Sequence, residues 1–195
     1  VSGTNITCFG ACNGTGTVSS VTGDGPPWLY SWFPSTQTTP SATGLCPGQY
    51  FAAVTDTNGC KIIDPINITQ PTQLFANPSI TKATCFGICN GSIIINATGG
   101  TGAYTYLWNP GFQTTSSITG QCAGTYTLIL RDANNCVQAS TLIIGQNTIL
   151  TSTLSTTNAT CNLTCNGTAT ASIGGGTSPY TYAWNPGGQS TPSVS

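Results

Sequence analysis

Ten cysteines are the residues of this chain best equipped for chemistry, and their spacing repeats. Cys8 and Cys12 stand three residues apart, 33 residues separate Cys12 from Cys46, and 13 separate Cys46 from Cys60. Cys85, Cys89, Cys122 and Cys136 reproduce the pattern with intervals of 3, 32 and 13, and Cys161 with Cys165 begins it a third time. Sulfur ligands in even sets serve either disulfides or a tetrahedral zinc ion. Zinc ribbons bring together C-x2-4-C pairs on knuckles, and C-x3-C followed by C-x13-C fits that scheme poorly. Small units with regular cysteine sets need covalent staples, so disulfides and an oxidising, extracellular compartment are expected.

Other reactive groups are sparse. The charged residues are Lys61, Lys82, Arg131, Asp24, Asp56, Asp64 and Asp132, and there is no Glu, His or Met. Acid–base catalysis needs a tuned titratable group beside a partner, so the chain is read as no enzyme, with no cofactor and no metal site. Only Asp56 and Asp132 recur in register. Each falls in a turn beside Asn, where Asp normally accepts hydrogen bonds from nearby backbone amides. A calcium ligand is the other reading, but calcium wants several oxygens and one Asp per unit is thin. The glycine-rich stretches 99–102 and 174–176 have no following helix or Lys, and so are loops rather than phosphate cradles.

Charged residues make up 4% of the chain, against about 25% in ordinary domains. Disordered chains are charged and poor in aromatics, so disorder does not account for this. The surface must be Thr, Ser, Asn, Gln and Gly, with little repulsion to keep copies apart. Self-association into a fibre or by lateral packing is the expected partnership, with glycans as a further class. A net charge of −1 argues against nucleic acid. Eight Asn-x-Ser/Thr sequons, at Asn5, Asn13, Asn67, Asn90, Asn96, Asn158, Asn162 and Asn166, are candidate glycosylation sites. Asn13, Asn90 and Asn166 also belong to an Asn-Gly turn of the repeat. No stretch is apolar and long enough to span a membrane.

The elements that hold these residues come in copies. Cys-Phe-Gly-x-Cys-Asn-Gly occurs at 8–14 and 85–91, with an altered copy from Cys161, at steps of 77 and 76 residues. A period of that size is a domain, not a solenoid rung. Tyr30-Ser-Trp32-Phe-Pro34 matches Tyr106-Leu-Trp108-Asn-Pro110 and Tyr182-Ala-Trp184-Asn-Pro186; Leu45-Cys46-Pro-Gly48-Gln-Tyr50 matches Gln121-Cys122-Ala-Gly124-Thr-Tyr126. Three units follow: 1–70, 71–146 and a truncated 147–195. Residues 1–7 align with 79–84 and 155–160, so the chain is read as a window on a longer protein that opens inside a first strand. The alternative is a neighbouring subunit that donates the third unit's last strands. No signal peptide is expected in such a window.

In the second unit, 74–84 reads as an edge strand interrupted by Pro78. Cys85 to Gly91 is a tight turn, 92–98 an isoleucine-rich strand, and 104–108 a strand with Tyr104, Tyr106 and Trp108 on one face. A short strand near 116–118 follows, then a strand whose inward row is Tyr126, Leu128 and Leu130. A hairpin turn from Asp132 and a last strand over 137–144 complete the unit. No helical periodicity appears. Six or seven short strands with frequent turns predict an all-β fold of tandem immunoglobulin-like β-sandwich domains, stapled by disulfides. Gly124-Thr-Tyr126 and Gly48-Gln-Tyr50 stand where a tyrosine corner belongs. The tryptophans are read as core residues, a sugar-stacking platform being the other reading.

The motifs Cys-x-Gly-x-Cys-Asn-Gly, Gly-Gly-Thr-x-x-Tyr-Thr-Tyr-x-Trp (99–108, 174–184), Leu-Cys-x-Gly-x-Tyr (45–50), Asp-x-Asn-Gly-Cys (56–60) and Ile-Thr-Gln-Pro (68–71) together resemble SprB repeats, which occur in very large surface adhesins of gliding bacteria and related secreted proteins. The resemblance runs along essentially the whole chain. Copy one departs at 23–29, copy two ends in Ile-Gly-Gln-Asn, and copy three lacks Phe-Gly in its first turn. The resemblance implies cell-surface display, tandem repetition, and adhesion or fibre building. Many family repeats keep only their first and last cysteines, which implies outer pairs Cys8–Cys60 and Cys85–Cys136. Cys12–Cys46 and Cys89–Cys122 are then inner pairs, and Cys161 and Cys165 take partners beyond the chain end. The strand reading, however, puts a unit's third cysteine at the opposite end of the sandwich from the others, whereas bridged Cα atoms lie within about 7 Å. Either the strand near 116–118 does not cross the sheet, or the pairing differs. The expected function is a segment of an extracellular filament of a bacterial surface protein. The alternatives are an adhesin that binds polysaccharide or a surface, and a spacer attached to a secreted enzyme.

Overall fold

The computed structural model describes residues 1–22, 25–161 and 165–195. Asp24 and the sequon residue Asn162 lie outside them. The described residues form fifteen strands and no helix. They gather into two compact units. One comprises Val1–Asn77, Ile95–Ser116 and Thr127–Ser140, the other Pro78–Ile94, Ser117–Tyr126 and Thr141–Ser195.

The first repeat lies wholly in the first compact unit. Its strands are β1 (Ser2–Thr4), β2 (Gly14–Thr17), β3 (Leu29–Phe33), β4 (Ser41–Leu45), β5 (Gly48–Thr55) and β6 (Lys61–Ile68). They make two antiparallel sheets, ordered β1-β2-β4 and β3-β5-β6. This is the immunoglobulin division, with strands one, two and four facing three, five and six. The core draws on both sheets: Trp32, Tyr50, Ala52 and Ile68 from one, Ala42 and Leu45 from the other, with Ile6 at the rim. β2 reads Gly-Thr-Gly-Thr because Trp32 lies against it. A Cβ on Gly16 would come 2.7 Å from the indole ring. The strand therefore gives up side-chain volume that Trp32 fills.

The second repeat supplies β7 (Pro78–Thr81), β8 (Gly91–Ile95), β9 (Thr105–Asn109), β10 (Ser117–Gln121), β11 (Gly124–Arg131) and β12 (Val137–Ile144). The sheet orders, β10-β8-β7 and β12-β11-β9, copy those of the first repeat. Alternation sets the inward rows: Tyr126, Leu128 and Leu130 are buried, as is Trp108. The Trp108 indole N–H donates to Thr115 O at 2.9 Å, and Trp32 and Trp184 bond Thr39 O and Thr191 O at the same distance. The Tyr126 hydroxyl donates to Cys122 O at 3.0 Å, the tyrosine-corner bond to backbone a few residues upstream. The edge strand is shorter than the sequence suggested. Asn77, at φ 45°, breaks it, and Phe75 instead exchanges backbone hydrogen bonds with Thr98. In the third repeat β13 (Thr151–Thr157) pairs with β14 (Thr168–Gly174) over its whole length, and β15 (Ser193–Val194) pairs with β14.

The expected placement of the third cysteine at the far end of the sandwich is corrected. β10 runs antiparallel to β8, with Gln121 opposite Gly91. Cys122, just after β10, therefore meets Cys89, just before β8. β4 and β2 do the same, with Leu45 opposite Gly14, which brings Cys46 to Cys12.

Candidate functional site

The most chemically developed place in the chain joins the first repeat to the second, and lies inside the first compact unit. It begins with the Cys8 turn. Ala11 N donates to Cys8 O at 3.0 Å, and Gly10 takes φ +75°. Asn13 clips the turn shut: its Oδ1 accepts from Thr7 N at 3.2 Å and its Nδ2 donates to Thr7 Oγ1 at 2.7 Å. Gly10 N donates to Gln70 Oε1 at 2.8 Å, which ties the turn to the end of the repeat. The second repeat builds the same turn. Asn90 clips Thr84 at 2.9 and 2.8 Å, and Gly87 N donates to Gln146 Oε1 at 2.9 Å. Asn166 clips Thr160 in the third.

The other half is the hairpin turn between β11 and β12. Asp132 Oδ1 accepts from Asn134 N at 2.9 Å and from Cys136 N at 2.8 Å, while Oδ2 accepts from Thr101 N at 2.9 Å. Asp132 is only 3% exposed, and these three N–H donors replace the water its carboxylate gives up. Asp56 forms the equivalent turn, accepting from Asn58 N and Cys60 N at 2.9 and 2.7 Å. Both aspartates thus have the backbone-bonding role expected of a turn residue.

Turn and hairpin meet. Asn134 Nδ2 donates to Thr7 O at 3.1 Å, and a disulfide joins Cys8 to Cys136 with Cα atoms 5.6 Å apart and 128 residues between them in sequence. The expected outer pairs Cys8–Cys60 and Cys85–Cys136 are therefore corrected. The hairpin of the following repeat, not that of the same repeat, reaches the Cys8 turn. Cys60 and Cys85 remain as exposed thiols, as does Cys165; Cys161 is also exposed. Two further disulfides join Cys12 to Cys46 and Cys89 to Cys122 within their repeats.

Sequence reasoning overlooked what seats the hairpin. Gly100 N donates to Thr72 O at 2.8 Å, and a Cβ on Gly100 would fall 2.6 Å from Asp132 Oδ2. The repeated Gly-Gly of 99–100 and 175–176 was the signal for it. Gly176 N likewise donates to Thr148 O, at 3.0 Å.

Of the sequon residues, Asn13, Asn90 and Asn166 serve the turn clips, and Asn5 Oδ1 accepts from Thr69 N at 2.9 Å. Asn67, Asn96 and Asn158 are exposed. Among the described residues no group of three or more His, Cys, Asp or Glu could hold a metal ion. Among the described residues no helix is long and apolar enough to cross a membrane.

Residues 77–112 and 153–189 match the SprB repeat family, whose members are structural and adhesive repeats of bacterial surface proteins and not an enzyme family. No curated protein sequence matches the chain. A solved structure described as DIP-gamma IG1+IG2 is 12% identical, covers 62% of this chain and 84% of its own, and superposes with a TM-score of 0.29.

Proposed function

We propose that this run of SprB repeats is a load-carrying segment of an extracellular filament on a bacterial surface, built of sandwich units at 1–70, 71–146 and 147–195. The observation that carries the reading is the Cys8–Cys136 bridge, which crosses from one repeat into the next. A staple placed there resists separation of consecutive repeats, and a free-standing binding module has no need of it. Lateral packing has a surface to use. Leu29 and Phe33 project from β3, and Ile63 from β6, on the outer face of one sheet at 53–70% exposure. The nearly charge-free exterior sets little repulsion against such contact. Glycans at the exposed sequons would limit that packing.

Electron microscopy of native material is the test. Eight-residue strands span about 26 Å at ~3.3 Å per residue, so filaments with an axial repeat on the order of 30–40 Å are expected. Isolated particles, or a spacing unrelated to that length, would overturn the reading.

An adhesin is the second reading, favoured by Phe9 and Phe86, equivalent turn residues 50% and 53% exposed. Exposed aromatic rings in register can stack on sugars. Trp32 and Trp108 cannot, since both are buried. A glycan array would separate the readings: polysaccharide binding lost in Phe9→Ala/Phe86→Ala with the fold intact supports the adhesin.

A further inference from the structure

The bridge between Cys8 and Cys136 follows a rule of register: the first cysteine of one repeat joins the last cysteine of the next. Cys85 is the first cysteine of the second repeat and Cys60 the last of the first. Both are exposed thiols, and both sit in copies of the surroundings that make the observed bridge. The Cys85 turn has the same Asn–Thr clip and the same Gln tie as the Cys8 turn. Cys60 N bonds Asp56 Oδ1 just as Cys136 N bonds Asp132 Oδ1.

The second compact unit also carries the seat. A groove of about 600 Å³ beside Cys85 is lined by Phe86, Thr148, Leu150 and Gly176. These correspond to Phe9, Thr72, Leu74 and Gly100 beside Cys8, where the hairpin residues Asp132, Asn135 and Cys136 line the same cleft and only about 330 Å³ is left. Thr84 O accepts from Asn147 Nδ2 at 2.6 Å, and a carbonyl retains a second lone pair for the bond that Asn134 gives Thr7 O.

We propose that Cys60 and Cys85 are halves of further inter-repeat disulfides. The groove beside Cys85 receives the Asp-x-Asn-x-Cys hairpin of the next tandem repeat of the same polypeptide, and Cys60 is held by the first-turn cysteine of the repeat before. Every repeat is thereby bonded to both neighbours, and the array is a disulfide ladder. Each rung forms from two thiols, which lose two protons and two electrons to a disulfide oxidant that is itself reduced to a dithiol. The inference rests on the tandem-array reading and adds its covalent wiring.

The charge-poor sequence makes a clean test possible, because trypsin can cut only after Lys61, Lys82 and Arg131. In unreduced, alkylated protein, Cys8–Cys136 links fragment 1–61 to 132–195. Inserting a second copy of residues 71–146 that itself carries Cys85→Ser, so that its 83–131 peptide differs in mass, after position 146 of the full chain gives Cys85 a following hairpin. The fragment 83–131 is then expected linked to the fragment that carries the inserted copy's last cysteine, and Cys85 is lost from the alkylatable thiols. A link from Cys85 to Cys136 of its own repeat, from Cys8 to Cys60, or between two chains would overturn the proposal. So would a persistent Cys85 thiol in inserted protein whose Cys12–Cys46 bridge is intact. The same digest of protein from its natural source covers the case in which the inserted chain misfolds. There, 83–131 is expected joined to an Asp-x-Asn-x-Cys peptide other than the one that begins at Asp132, and an alkylated Cys85 or a link to Cys136 refutes the ladder. Failure of the filament reading would leave these fragment masses unchanged.

Discussion

Asp132 concentrates more structure than any other charged residue described. Its three N–H donors come from the hairpin that presents Cys136 and from the glycine loop beneath it. Hydrogen bonds to a buried charge contribute about 1.5–3 kcal/mol each, and they are not additive. Asp132→Ala is expected to destabilise the chain by about 2–4 kcal/mol and to speed amide exchange at Asn134 and Cys136. Asp56→Ala, with two such bonds at a more open turn, is expected to cost less. Urea titration with hydrogen-exchange mass spectrometry compares the two. The glycines offer a matched contrast. Gly10 and Gly100 both take positive φ, but a Cβ on Gly10 meets nothing within 4 Å whereas one on Gly100 strikes Asp132. Gly10→Ala should carry only the left-handed backbone cost of about 1–2 kcal/mol. Gly100→Ala should cost more and release the hairpin, raising the reactivity of the Cys8–Cys136 bridge toward reductant.

At the scale of the element, Trp32 and Trp108 hold equivalent buried positions on β3 and β9, the third strands of the first two repeats. Trp108 is fully buried and its N–H is bonded to Thr115 O. Trp108→Ala is expected to cost about 3–5 kcal/mol, read from the thermal unfolding midpoint. A comparable loss is expected for Trp32→Ala, whose ring fills the space left by Gly16. Strand boundaries were legible where alternation was strong: β12 spans the 137–144 of the sequence reading, and Tyr126, Leu128 and Leu130 face inward as read. They were illegible at the edge strand, because a run of apolar residues does not reveal that Asn77 turns the chain between two partners.

For the whole molecule, the defining feature is a covalent link whose two ends belong to different repeats. Closing a loop of 128 residues restricts the unfolded chain by about 5 kcal/mol on a chain-entropy estimate. Cys8→Ser is therefore expected to lower stability by an amount of that order, to expose Cys136 to alkylation, and to leave the Cys12–Cys46 bridge untouched. Unreduced peptide mapping and differential labelling check all three. If Cys136 instead recruits Cys85, repeats pair within themselves when the inter-repeat link is denied.

The sequence by itself determined the period, the all-β class, the positions of the turns and the inward row Tyr126, Leu128 and Leu130 of β11. Those follow from local sterics and two-residue alternation, which are written into neighbouring residues. It also marked the first and last cysteines of each repeat as equivalent from copy to copy. It could not say which first cysteine meets which last one. Cys8 is 52 residues from Cys60 and 128 from Cys136, and the two loop closures differ by only about 1 kcal/mol in chain entropy. That choice fell to the tertiary structure, where Asp132, Gly100 and Asn134 carry the next repeat's hairpin to the Cys8 turn and bring the two Cα atoms to 5.6 Å.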